Sequence, residues 1–118
     1  MTVQKRNYHA GIAAEDSVLR QYLAAGYELL ARRWRGQRGE LDLVLSRCAE
    51  VVFVEVKKSR CFDTAAARIG AAQTERLFMT AAQFLDTCLQ GQLTPARFDV
   101  ALVNAQGQVS LLENALYA

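Results

Sequence analysis

The chain has 118 residues, 52% hydrophobic and 22% charged, with a net charge of +2 and a mean hydropathy near zero. That size fits one domain spanning 1–118 with one core, and the composition excludes a disordered, collagen-like or wholly coiled-coil chain. The longest run of bulky apolar residues is Val51–Val54, far short of a membrane span.

In chain order, Tyr8, Ile12, Val18, Leu19, Tyr22 and Leu23 fall at helical spacing and predict a helix over 8–25, stopped by Gly26. A strand is expected from Tyr27 to about Trp34. Residues 39–46 and 50–57 alternate as strands, and Arg47-Cys48-Ala49 between them reads as a hairpin link. An alanine-rich second helix is expected over 64–90, with Gly70 as a candidate for a late start. Strands at 97–103 and 108–113 follow, joined by a turn at Gln106-Gly107. The expected fold class is α/β, a mixed β-sheet flanked by helices in the order αβββαββ.

The charge is unevenly spread. Residues 1–60 hold 11 Lys/Arg against 7 Asp/Glu, and residues 61–118 hold 3 against 5. Four arginines lie in Arg32-Arg33-Trp34-Arg35-Gly36-Gln37-Arg38. This suits a phosphate backbone, and equally a solvated loop. The three cysteines have no paired spacing and fit free thiols in a reducing cytoplasm. With a single histidine, His9, neither a histidine-based triad nor a zinc site is legible. No glycine-rich phosphate loop is present.

Three carboxylates fit a purely structural reading poorly. On a helical wheel Glu15 lies within roughly 60° of Tyr8, Ile12, Leu19 and Tyr22, in the middle of the apolar stripe. Burying it alone is costly, so it is at the rim, paired with an arginine, or a functional ligand. Alternation puts Glu40, Asp42 and Val44 on one face of their strand and Leu41, Leu43 and Leu45 on the other. In the next strand Val51, Phe53, Glu55 and Lys57 share one face and Val52, Val54 and Val56 the other. If Ser46 faces Val51, then Asp42 faces Glu55 and Glu40 faces Lys57. Two opposed carboxylates repel one another, and a cation between them removes the penalty; oxygen ligands alone select Mg²⁺ or Mn²⁺. The alternative is a surface hairpin held by Glu40–Lys57 and Glu55–Lys57 ion pairs.

Asp42, then Glu55-Val56-Lys57 after a short hairpin, with Glu15 on a preceding helix, resembles the active site of PD-(D/E)xK nucleases, whose core is restriction-endonuclease-like. Within that superfamily the pattern resembles Holliday junction resolvases. Over residues 8–104 the chain is similar to the YraN family of small bacterial proteins. The matching pieces are Gly11, Ala14-Glu15, Gly26-Tyr27, Gly39-Glu40-Leu41-Asp42-Leu43, Phe53-Val54-Glu55-Val56-Lys57, Arg60 and Arg97-Phe98-Asp99-Val100. Leu41 stands where the superfamily has proline, and Gln73 where family members usually carry lysine.

The resemblance implies an endonuclease that cuts branched or flapped DNA, and so a role in DNA repair or recombination. Asp42, Glu55 and the Val56 carbonyl would hold Mg²⁺ or Mn²⁺. Lys57 would orient the attacking water, and Glu15 would hold a second ion or a bridging water. Glu40 is either part of the site or only an ion-pair partner. Arg35, Arg38, Lys58, Arg60 and Gln73 are the expected contacts to nucleic acid. Resolvase-like activity implies a homodimer. The expected location is the cytoplasm, with no membrane partner. The alternative function is a nucleic-acid-binding domain that keeps the nuclease fold without cutting, and a third class is a structural ion-pair network.

Overall fold

The structure, a computed structural model, describes residues 3–59 and 69–116, with side chains from residue 11 onward. Helix α1 (Val3–Ala24) is followed by β1 (Glu28–Arg35), β2 (Glu40–Arg47) and β3 (Glu50–Lys58). Helix α2 (Ala71–Leu85), a 3-10 turn at Gly91–Leu93, and strands β4 (Ala96–Val103) and β5 (Val109–Leu116) follow among the described residues. The five strands form one sheet in the order β1-β2-β3-β4-β5. Only β3 and β4 are parallel, and α2 lies in the crossover between them.

The two helices cover opposite faces. On one, Ala14, Val18 and Tyr22 of α1 pack on Leu43, Leu45, Val52, Val54, Ala101 and Val103. On the other, Leu77, Ala81, Phe84 and Leu85 of α2 pack on Val44, Val51, Phe53 and Phe98. The Phe84 ring meets Trp34 and Phe53 edge-on, at 5.3 and 5.9 Å between centroids. Both faces being covered, β3 reads as a continuous apolar run, and its alternation sorts Val51 and Phe53 from Val52 and Val54 as expected. Leu41 is different: it packs with the α2-side cluster, not with Leu43 and Leu45. The strand pairing is interrupted at Asp42, and strict alternation ends there.

Two helix boundaries differ from the sequence reading. Helix α1 starts at Val3, ahead of the first apolar residue of its stripe. Helix α2 takes the late start that Gly70 offered, after an extended Gly70, but it stops at Leu85, not at residue 90. Its last carbonyls are taken by side chains: Thr87 Oγ1 donates to Phe84 O, and Gln92 Nε2 to Ala82 O. Leu89, the next position of the apolar spacing, is fully exposed. No helix among the described residues is long and apolar enough to cross a membrane.

The turns at Gly26, Cys48-Ala49, Gly91 and Gly107 have left-handed backbone. Gly26, at φ 91°, ends α1 with Tyr27 N–H donating to Tyr22 O. Arg47 pairs with Glu50, so the β2–β3 loop is Cys48-Ala49, at φ 52° and 66°. Such a two-residue turn favours Asn-Gly. Replacing Cys48-Ala49 by Asn-Gly relieves the strain at both positions and should stabilise the protein by roughly 1–2 kcal/mol, read as a higher urea midpoint at unchanged m-value.

Candidate active site

The β2–β3 ladder runs from Arg47–Glu50 to Leu43–Val54, in the expected register, and the next opposed positions are Asp42 and Glu55. Here Asp42 Oδ2 accepts the backbone N–H of Val56 at 2.8 Å. The side chain thus takes the place of a cross-strand carbonyl, and the strands part around two carboxyl groups. The two carboxyl groups are close enough that each shifts the titration of the other.

Burial pushes Glu55 up to about 8, the neighbouring Asp42 adds to the effect, and Lys57 opposes it. Asp42 is also raised, first by burial; the Val56 N–H works the other way, and the charge of Glu15 adds to the rise. Burial thus favours the protonated form of Glu55 near neutrality. Its Oε1 atom also lies 3.5 Å from Lys57 Nζ and accepts Gln73 Nε2 at 3.3 Å. Gln73 comes from the first turn of α2, so the second helix closes the site from the opposite side to α1.

Glu15 is buried, as the helical wheel implied. Its Oε1 accepts Arg32 Nε at 3.2 Å and Arg33 Nε at 3.0 Å. Arg32 also donates to Asp16 Oδ1 and Ile12 O. Consecutive strand residues normally point to opposite faces. Arg33 escapes that rule because its backbone is left-handed, at φ 53°, and both guanidinium groups reach one oxygen. Backbone of that kind in a non-glycine residue is uncommon and clusters at functional sites. Arg33 sits across from Asp42, at the step where the β1–β2 pairing skips.

Glu40 faces the cleft but pairs with Arg35 Nη2 at 3.2 Å rather than with Lys57. Arg38 is exposed in the β1–β2 loop, and Lys58 is exposed at the end of β3. Arg60 and Cys61 lie outside the described residues, as does the side chain of His9. The structure therefore gathers Asp42, Glu55, Lys57, Gln73 and the Val56 backbone at one point, with the charge of Glu15 felt there. Among the described residues no group of three or more His, Cys, Asp or Glu side chains is placed to hold a metal ion. A cation site here would rest on Asp42, Glu55 and the Val56 carbonyl.

The arginine pairing that the sequence allowed for Glu15 is the one found, with Arg32 and Arg33 supplying it. Two features lie beyond the sequence reading of the site. Arg76, one helical turn after Gln73, lines the same cleft. Asp99 is completely buried in β4, where it accepts Tyr22 Oη at 2.7 Å, Arg97 Nε at 3.0 Å and Asn114 N–H at 2.9 Å. A carboxylate inside an apolar strand was the available signal, as it was for Glu55.

The model of the uncharacterised protein family UPF0102 matches residues 14–103, three quarters of the chain and all of the site's described residues. The chain belongs to this family. It is 57% identical over 109 residues to a UPF0102 protein of Roseobacter denitrificans, covering 92% of this chain and 84% of the relative. It is 56% identical over 110 residues to one of Ruegeria pomeroyi, covering 93% and 89%. A relative from Cereibacter sphaeroides is 50% identical over 112 residues, covering 95% and 96%. UPF0102 is the YraN-like family that the sequence motifs resemble.

Proposed function

We propose that this UPF0102 protein is a metal-dependent endonuclease that hydrolyses phosphodiesters in branched or flapped DNA. The observation that carries the reading is the buried Glu55 directly opposite the half-buried Asp42 on the paired strand, with Lys57 beside it. Two adjacent carboxylates with little access to solvent fit a hard divalent cation, which relieves their repulsion. Asp42, Glu55 and the Val56 carbonyl would hold Mg²⁺ or Mn²⁺. Such an ion lowers the pKa of a bound water and offsets charge on the phosphate.

The chain's own groups supply the rest. Lys57 orients the attacking water and faces the negative charge that develops on the phosphate. Gln73 fixes the Glu55 carboxyl from α2. Glu15, committed to Arg32 and Arg33, holds two cations beside Asp42 instead of serving as a direct ligand. Arg35, Arg38 and Lys58 contact the backbone, which gives preference for shape over sequence. Symmetric cutting of a four-way junction needs two sites and hence a homodimer.

The test is cleavage of labelled duplex, single-stranded, flap and four-way-junction DNA with Mn²⁺ and with EDTA. Wild type should cut the branched forms only with the metal. Lys57→Met and Glu55→Ala should each lower the rate by at least about 100-fold. Salt-sensitive binding without metal-dependent cutting would leave a binding domain in place of a nuclease.

A further inference from the structure

One face of α2 carries Gln73, Arg76, Thr80 and Gln83, at intervals of three and four residues. Three of them meet a distinct neighbour. Gln73 donates to Glu55, and Gln83 Oε1 accepts the Gln37 N–H of the β1–β2 loop at 2.8 Å. The loop lies so close that a Cβ on Gly36 would collide with Gln83 Oε1, and one on Gly39 would touch Thr80 Oγ1 at 3.4 Å. The helix therefore fixes the loop against the site. Between them is a cleft of about 160 Å³ lined by Gly39, Glu40, Glu55, Gln73, Arg76 and Thr80.

Arg76 is exposed, and its guanidinium has no hydrogen bond or ion pair among the described residues. Of the two acidic side chains of the cleft, Glu40 pairs with Arg35 and Glu55 lies 3.5 Å from Lys57 Nζ. Among the described residues Arg76 is thus the cation of the cleft that no carboxylate engages. The volume holds roughly five waters at about 30 Å³ each, room for a phosphodiester group and too little for a base pair. A guanidinium is the group best shaped to grip phosphate through two parallel hydrogen bonds.

We infer that this cleft is a backbone subsite in which Arg76 binds the phosphate next to the scissile one. The inference rests on the nuclease reading and adds to it a residue and a place for the substrate strand. The subsite grips one strand through its phosphate, independently of base identity.

The test is fluorescence anisotropy with a labelled four-way-junction DNA over a range of salt, in Ca²⁺ so that nothing is cut. Arg76→Ala should weaken binding about tenfold and reduce the slope of log affinity on log salt by about 1. Arg76→Lys should restore the slope. Arg20→Ala, an exposed arginine on α1 across the sheet, should match wild type. Because Arg76 is exposed, all variants should melt with wild type. If Arg76→Ala binds with wild-type affinity and slope while wild type binds the junction, this inference is overturned and the nuclease reading stands. If wild type binds no DNA, both are overturned.

Discussion

Glu55→Gln should abolish most of the pH dependence of stability between about pH 4.5 and 8. The sign follows from linkage. Burial first, and then Asp42, raises Glu55 from 4.5 in the unfolded chain to about 8 in the fold. The native state therefore binds more protons than the unfolded state across that window, and stability falls as pH rises. The stabilising contribution is fully present below about 4.5 and is lost as pH climbs through about 8. The loss is on the order of 3 kcal/mol at the alkaline end, a large part of a small domain's total. An amide keeps the shape and a hydrogen-bond donor toward Asp42 without titrating. Urea unfolding in EDTA across this range should show wild type weakening steadily and Glu55→Gln nearly flat. Mn²⁺ should raise the wild-type midpoint more at pH 8 than at pH 5, because metal and proton compete for the same oxygens. A wild-type profile as flat as the variant's would mean that the pair is ionised and solvated.

Some of the site was legible because its geometry is periodic. Alternation along β3 placed Glu55 on the face of Val51 and Phe53, and a register anchored at Ser46–Val51 brought it opposite Asp42. The helical wheel placed Glu15 under the sheet. What periodicity does not carry is a local break in the backbone. The left-handed Arg33 turns two consecutive arginines onto one carboxylate, and nothing in Arg32-Arg33-Trp34 marks such a conformation, as a glycine would. The same break moves Leu41 to the other cluster. The end of α2 depended on Gln92, seven residues beyond the last helical turn's Leu85, reaching back to a carbonyl. Partners that meet only in the folded chain were invisible for the same reason. Gln73 was singled out as a departure from the family's lysine, but its bond to Glu55 could not be read from the helix alone.

Asp99→Ala should be among the most destabilising single changes available, costing on the order of 3–5 kcal/mol. Asp99 has no exposure, and every polar neighbour it has is aimed at it. Arg97 donates to both of its oxygens, at 3.0 and 3.2 Å, and also reaches Glu50 and the Tyr27 hydroxyl. That network raises Arg97, through Asp99 above all, and burial together with Asp99 raises Tyr22, so neither group titrates in the accessible range. Asn114 N–H completes the set from β5, where Asn114 is left-handed at φ 51° and the β4–β5 register shifts. One carboxylate thus ties α1, β4 and β5 together. Truncating it leaves a mostly buried guanidinium, a buried hydroxyl and a backbone N–H without their acceptor at once. Tyr22→Phe removes only one of these bonds and should cost about 1 kcal/mol. The decisive comparison is Arg97→Met with Asp99→Leu. If the cost is that of an uncompensated charge, the double variant should be more stable than Asp99→Ala alone, because it removes both charges and fills the space with apolar atoms. If the double variant is no more stable than Asp99→Ala, the uncompensated charge is not the cost, and the bonds from Tyr22 and Asn114 N–H that both variants lose carry it.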